Sequence, residues 1–180
     1  MTELIDFMQL SLVCAPAVHP ETMRRLVRVE STFNPFAIGI VGRTLTRQPR
    51  QMEEALDVIA SLERQGANYS VGLTQVNRKN FQAYGLDARA ALTPCTNLRV
   101  GSQILTECFE RARPRFESKQ HALRAAFSCY ESGNFRTGMR DGYVAKVVRR
   151  EQPQTPAFFD LHSQAKGATL TSIRGKFSPR

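Results

Sequence analysis

The hydrophobic and polar positions of residues 20–32 predict an amphipathic helix whose apolar face ends in a carboxylate. Met23, Leu26 and Val27 follow the i, i+3, i+4 spacing of one helical face, and Glu30 occupies the i+7 position of that face. A carboxylate at a position normally filled by an apolar side chain is expected to face the interior or a cleft rather than open water.

The helical period recurs through most of the chain. Pro20 is typical of a first helical position, and Pro35 ends the first helix. Further helices are predicted over residues 51–65, 94–113, 119–131 and 142–150, with a shorter one from 77 to 85. Only residues 70–73 form a candidate strand. We therefore expect a mostly α-helical fold with at most a very short β element.

The chain divides by composition into a domain and a tail. Its 180 residues suffice for one domain with a substantial core, which we place over residues 1–150. Residues 151–180 mix Pro and Gly with Ser, Thr, Lys and Arg, and they show little apolar periodicity. We expect this tail to be flexible or loosely docked and dispensable for any chemistry.

The position of Glu30 suggests acid catalysis. Burial disfavours the charged form of a carboxyl group and raises its pKa, so such a group can hold a proton near neutral pH and deliver it to a leaving group. The alternative is a structural ion pair with Arg24, Arg25 or Arg28, which share the helix.

The net charge of +9 favours a polyanionic partner. Nucleic acid, an anionic membrane surface and an acidic wall polymer all fit, and the charge could also serve solubility alone. No apolar run is long enough to span a bilayer. Tryptophan is absent, so stacking on a sugar or base must use Tyr or Phe.

The cysteines and histidines do not predict a metal site. No two of the four cysteines form a C-x-x-C pair, and the three histidines are scattered. An even cysteine count suits disulfides in an oxidising compartment, but four buried free thiols fit as well. We expect no metal and no organic cofactor.

If disulfides form, helix geometry favours one pairing among the three connectivities that four cysteines allow. An antiparallel pair of helices around Pro114 brings Cys108 and Cys129 to similar heights, which leaves Cys14 and Cys95.

The N-terminus does not resemble an export signal. Residues 1–6 carry two acids and no base, and residues 7–17 are a short, interrupted apolar stretch. Either the chain has been trimmed or export uses another route.

Four short motifs share their order with a known family. They are Glu-Ser at 30–31, Gly-Leu-Thr-Gln-Val-Asn at 72–77, Cys-Tyr-Glu-Ser-Gly-Asn at 129–134 and Tyr-Val-Ala-Lys-Val at 143–147. Together they resemble the family 1 lytic transglycosylases, relatives of goose-type lysozyme, over about residues 14–150. The resemblance implies a lysozyme-like (SLT) fold and cleavage of peptidoglycan glycan strands.

Longer stretches narrow the resemblance. Residues 27–31, 34–39, 68–77 and 94–98, together with the helical insert at 51–65, are similar to transglycosylases of type IV secretion and conjugation machines. Such enzymes open the wall locally for a secretion channel. The similarity implies a periplasmic location and other type IV secretion components as partners, with no specific nucleic-acid partner.

The resemblance assigns roles residue by residue. Glu30 becomes the only catalytic acid, and Ser31 its partner, able to bond either to substrate or to its own backbone. Gln75 is expected to bind acetamido or hydroxyl groups, or else to cap a helix. Tyr143 is expected to lie near the catalytic carboxyl, and Tyr130 to pack beneath a sugar ring; each could instead be plain core.

Two positions depart from the family pattern. Thr74 stands where the family has Met, which we expect to remove an apolar wall facing the sugar. Glu131 stands where Asn is usual. Its carboxylate could raise the pKa of Glu30 by like-charge repulsion, hold a water as in an inverting hydrolase, or be a solvated helix-end charge.

Three alternatives to a transglycosylase remain. A lysozyme-like hydrolase of the same bond would use water in place of the muramyl 6-hydroxyl. A wall-binding secretion scaffold would show little turnover. A DNA-binding protein is disfavoured, because the basic residues are scattered and form no recognition-helix pattern.

Overall fold

The computed structural model describes residues 2–149, with side chains from residue 7 onward. The predicted tail at 151–180 lies outside the described residues. The helices are α1 Thr2–Cys14, α2 Pro20–Ser31, α3 Met52–Arg64, α4 Ala88–Leu92, α5 Pro94–Ala112, α6 Lys119–Ser132, α7 Thr137–Arg140 and α8 Tyr143–Val148. The strands are β1 Ile38–Ile40, β2 Tyr69–Val71 and β3 Val76–Asn77. The prediction of a mostly α-helical fold is confirmed.

Five predicted helices are confirmed as α2, α3, α5, α6 and α8, and Pro20 occupies the first position of α2 as predicted. At the start of α2 the His19 ring Nδ1 accepts the Glu21 N–H at 3.2 Å, and Thr32 ends the helix in a left-handed conformation with φ of 51°. The Ser118 hydroxyl accepts the His121 N–H at the start of α6.

One predicted helix is wrong. Residues 77–85 contain only a short 3-10 turn over Arg78–Asn80, followed by turns. Asn77 caps that turn through its side chain, which accepts the Lys79 N–H at 3.0 Å. Two short helices, α4 and α7, and the longer α1 were not predicted.

The three strands form one antiparallel sheet in the order β1-β2-β3. Ile38 pairs with Val71, and Ser70 pairs with Asn77. The candidate strand at 70–73 corresponds to β2, which begins one residue earlier and leads into the turn carrying the glycine-led motif. The partly buried side chains of Ile40, Ser70 and Asn77 line one cleft together with Glu30 from the end of α2.

Two hydrophobic clusters form most of the core. The larger packs α1, α2, α5, α6 and α8 together and contains Met23, Leu26, Val27, Leu98, Leu105, Phe127, Val144 and Val147. The second packs α3 and α4 against the sheet and contains Ile38, Ile59, Leu62, Tyr69, Val71 and Leu92. Burial of the α2 face explains why that helix ends with Glu30 at the edge of the core.

Two disulfides cross-link the helices. Cys14–Cys95 joins the end of α1 to the start of α5, with the Cα atoms 5.1 Å apart, and Cys108–Cys129 joins α5 to α6, with the Cα atoms 5.8 Å apart. The favoured pairing is thus confirmed, and the alternative of four free thiols is wrong. Within residues 2–149, no helix is long and apolar enough to cross a membrane.

Candidate active site

A cleft of about 750 Å³ opens between the sheet and the ends of α2 and α6. Glu30 lies on its wall, one helical turn beyond the fully buried Leu26 and Val27. The lining side chains are mostly polar: Glu30, Asn68, Ser70, Gln75, Asn77, Lys79, Asn80, Tyr130, Glu131 and Ser132, with Ile40, Val41, Val76 and Ile104 as the apolar part.

The environment of Glu30 suits proton transfer. Burial raises the pKa of its carboxyl to about 7, the hydrogen bond from Tyr143 opposes that rise, and the negative charge of Glu131 adds to it. An arginine ion pair would lower the pKa instead, and on α2 Arg24 and Arg25 bond Glu21 at 2.7 and 2.8 Å. The carboxyl can therefore hold a proton near neutral pH.

Tyr143 reaches Glu30 from α8, across 113 positions of sequence. Its hydroxyl donates to Glu30 Oε1. Burial and the charge of Glu30 both raise the pKa of Tyr143 above its ordinary value, so the phenol stays protonated and remains a donor. This bond fixes the orientation of one carboxyl oxygen and leaves the other to meet a substrate.

The Gln75 side chain lines the cleft and bonds two backbone carbonyls. Its backbone is left-handed, with φ of 49°, and Nε2 donates both to the Ala37 carbonyl at 3.0 Å and to the Gly72 carbonyl at 2.9 Å. An amide nitrogen has two hydrogens, so only Oε1 remains to accept a bond from a ligand. Oε1 lies 2.7 Å from the point that a Cβ on Gly39 would occupy, which favours glycine there.

The expectation for Thr74 is wrong. Its side chain is fully buried and does not line the cleft, because Oγ1 donates to Asn97 Oδ1 at 2.8 Å. Tyr130 holds the same turn from α6, with its hydroxyl donating to the Thr74 carbonyl at 2.6 Å. Replacement of the family Met by Thr therefore changes the support of the turn rather than a wall facing the sugar.

Asn97 stabilises the turn that carries Thr74, and this role was not predicted from the sequence. Its Oδ1 accepts the Thr74 N–H at 2.7 Å, and its Nδ2 donates to the carbonyls of Val71 and Ala91 at 2.9 and 2.7 Å. Gly101 stands one turn later, where a Cβ would lie 2.3 Å from Thr74 Oγ1. The one available signal was an asparagine inside a helix beside apolar positions, which does not specify what the amide bonds.

The structure brings most of the predicted site residues together. Glu30, Gln75, Tyr130 and Glu131 line the cleft, and Tyr143 contacts Glu30. Ser31 is not among the lining residues, and its hydroxyl donates to the Val27 carbonyl at 3.1 Å, the local backbone bond that was one of its two expected roles.

Several cleft residues were missed, namely Asn68, Ser70, Asn77, Lys79 and Asn80. Among residues 7–149, no group of three His, Cys, Asp or Glu side chains is arranged to hold a metal ion. The absence of a metal stays a prediction.

The raised pKa of Glu30 should make folding stability depend on pH. The carboxyl titrates near 4.5 when unfolded and near 7 when folded, so the folded state binds the extra proton and stability falls as pH rises through that window. Relative to Glu30→Gln, the wild-type free energy of unfolding should fall by about 3 kcal/mol between about pH 4 and pH 8. Urea unfolding of both proteins at a series of pH values measures this difference. Other ionisable groups are shared and cancel, so a difference that is constant with pH would contradict the assignment.

Comparisons with known proteins identify the family. The sequence model described as Transglycosylase SLT domain matches residues 11–151. The chain is 48% identical over 151 residues to the "Type IV secretion system protein virB1" of Brucella suis, which covers 81% of this chain and 63% of that protein. It is 36% identical over 155 residues to "Protein virB1" of Agrobacterium fabrum, covering 84% of this chain and 61% of that protein.

A third relative, "Protein virB1" of Rhizobium radiobacter, is 32% identical over 186 residues, covering 97% of this chain and 74% of that protein. The chain thus spans about three fifths of the length of the first two relatives. No solved structure gave a significant match. The family match covers most of the chain, and it agrees with the helical fold and with the motifs that form the cleft: the chain belongs to the Transglycosylase SLT domain family.

Proposed function

We propose that the protein is a peptidoglycan lytic transglycosylase that cleaves the β-1,4 bond between N-acetylmuramic acid and N-acetylglucosamine and leaves a 1,6-anhydromuramyl end. One observation carries the proposal: Glu30 lies in the cleft with its pKa raised to about 7 and its orientation fixed by Tyr143. Family membership supports the same activity.

The chemistry needs one carboxyl group. Protonated Glu30 donates to the glycosidic oxygen as the bond from that oxygen to C1 breaks, and the departing glucosamine keeps the proton as its 4-hydroxyl. The muramyl acetamido group stabilises the cationic C1, so no second carboxylate is required. The muramyl 6-hydroxyl then bonds to C1 and returns its proton to Glu30. No water is consumed, and a pKa near neutrality suits both steps.

The cleft lining suits an uncharged sugar chain. Side chains of Asn68, Asn77 and Asn80 carry both donors and acceptors, which match the hydroxyl and acetamido groups of a glycan. Gln75 would contribute an acceptor only, since its amide hydrogens bond the backbone. Tyr130 would form the aromatic floor beneath one ring.

Hydrolysis of the same bond is the second candidate, and Glu131 is the observation that favours it. This carboxylate is exposed on the cleft wall, where it could hold a water. Its interaction with Glu30 is electrostatic, and the Glu131 side chain forms no hydrogen bond or ion pair with another described residue. We therefore assign Glu131 to tuning Glu30 rather than to activating water.

Product mass separates the two reactions. Wild-type protein should release 1,6-anhydromuropeptides, which are lighter by one water than the reducing products of a hydrolase. Glu131→Asn should give the same products with substantial activity. Because loss of a negative charge lowers the pKa of Glu30, the alkaline limb of its pH–activity profile should move to lower pH. Reducing products from the wild type, or loss of turnover in Glu131→Asn, would favour the hydrolase.

We also propose a place for this activity. The name of the Brucella suis relative indicates type IV secretion, so the protein would open the wall locally for such an apparatus, acting in the periplasm beside other secretion components. The two disulfides support an oxidising compartment. Secretion that is unaffected by deletion of the gene would contradict this role.

A further inference from the structure

A second cavity of about 680 Å³ adjoins the cleft and has a different character. Arg111, Arg115 and Arg136 line it, together with Phe116 and Phe135. We call it the arginine pocket. Gly133, which ends α6, lines both this pocket and the cleft. The two cavities are therefore neighbours on one surface.

The three guanidinium groups have no carboxylate partner among the described residues, whereas other arginines such as Arg78 and Arg89 form ion pairs with Glu63 and Glu53. Three uncompensated positive charges around one cavity favour an anionic ligand. Arginine suits carboxylates in particular, since its planar fork can bond both oxygens.

Two of the three arginines are held in place by the fold. The Arg115 guanidinium lies 5.4 Å from the centre of the Phe135 ring, which itself packs edge-on against Phe116. Arg111 Nη2 lies 2.7 Å from Cys129 Sγ, against the disulfide that joins α5 to α6. Side chains that are already positioned lose little freedom when a ligand binds.

We propose that the arginine pocket binds carboxylates of the peptide stem carried by the muramyl residue in the cleft. This inference rests on the proposed function. Peptide stems are linked to the muramyl ring and carry free carboxylates on side chains and at their C-terminus. A stem of three residues can extend roughly 10 Å, at about 3.3–3.6 Å per residue, which suits a pocket that shares Gly133 with the cleft. Phe116 and Phe135 offer apolar surface to the small side chains of the stem.

Substrates with and without stems test the proposal. The variant is Arg115→Gln/Arg136→Gln, which leaves Arg111 beside the disulfide. The matched control is Arg113→Gln. Arg113 begins the 3-10 turn Arg113–Arg115, and its guanidinium lies over Phe109 and does not line the pocket. Each protein is assayed on intact glycan strands, on strands freed of stems by an amidase, and on strands with chemically amidated stem carboxylates.

The double variant should lower kcat/KM on intact strands by about tenfold or more, as expected for lost charge-assisted hydrogen bonds. It should match the wild type on stem-free and amidated strands, and Arg113→Gln should match the wild type on all three. Equal losses on all substrates would overturn the proposal, and so would an unchanged kcat/KM on intact strands.

If the proposed function itself is wrong, the wild-type protein will cleave none of the three substrates, which distinguishes that outcome from failure of the pocket proposal. The pocket is then tested by calorimetric titration with a soluble stem tripeptide. Binding that weakens about tenfold in the double variant and not in Arg113→Gln supports the pocket, and binding that is absent or unchanged overturns it.

Discussion

Glu30→Gln is expected to lower the turnover of peptidoglycan by at least about 10²–10⁴-fold, the range typical of lost general acid–base catalysis. The substitution keeps the size of the side chain and its acceptor for the Tyr143 hydroxyl, but it removes the proton that the glycosidic oxygen requires. Release of soluble muropeptides measures the loss. Glycan binding and the folded structure should stay close to wild type, since Glu30 forms no ion pair with any residue of the described part of the chain.

Glu21→Gln is the matched control for this experiment. Glu21 lies nine positions earlier on the same helix, outside the cleft and bonded to Arg24 and Arg25, which hold its pKa down at about 2. Its variant should retain activity. If Glu30→Gln kept more than about a tenth of the wild-type turnover, another group would be the acid. If turnover were lost while secretion stayed intact, the scaffold alternative would be favoured.

The helices that could be predicted from the sequence are those with a single apolar face packed against the core. α2 shows this most clearly, because three buried side chains at helical spacing fix its orientation and so fix where Glu30 points. α5 and α6 also have single apolar faces, so their antiparallel pairing could be predicted. That pairing was enough to predict the disulfide between Cys108 and Cys129.

Elements without such periodicity were mostly not predicted, and of the three strands only β2 was anticipated. The strands are two or three residues long, too short for alternation to be visible. Residues 7–14 of α1 have apolar residues on several sides rather than along one stripe, so their period does not stand out. The segment from 77 to 85 has helix-forming residues but breaks up into short turns after the 3-10 turn Arg78–Asn80, and Gly85 ends it in a left-handed conformation with φ of 61°.

The candidate site depended on long-range contacts that residue spacing cannot supply. The positions of Tyr143 and Glu131 relative to Glu30 came from the family resemblance. The same resemblance failed at Thr74, because it carried a cleft-facing role onto a buried side chain. Asn97 and the arginine pocket were missed for a related reason. Each is formed by groups from distant segments of the chain. No local sequence pattern predicts which backbone carbonyls the Asn97 amide bonds or which rings the arginines contact.

Removal of either disulfide is expected to destabilise the domain, with the larger effect at Cys14–Cys95. The bridge between those residues spans 81 positions and the Cys108–Cys129 bridge spans 21. Because a longer cross-linked loop restricts the unfolded chain more, Cys14→Ser/Cys95→Ser should lower the free energy of unfolding by about 4 kcal/mol and Cys108→Ser/Cys129→Ser by about 3 kcal/mol. Urea unfolding of each variant beside the wild type measures both.

The order of the two variants should be reversed for activity: the variant that loses less stability should lose more activity. Cys129 directly precedes Tyr130 and Glu131 of the cleft and contacts Arg111 of the arginine pocket, whereas the Cys14–Cys95 bridge contributes no residue to either cavity. The Cys108→Ser/Cys129→Ser protein, measured where it remains folded, should therefore lose more activity on intact glycan strands although it loses less stability. Equal stability in all three proteins, or free thiols in protein recovered from the periplasm, would contradict both the bridges and the oxidising compartment they imply.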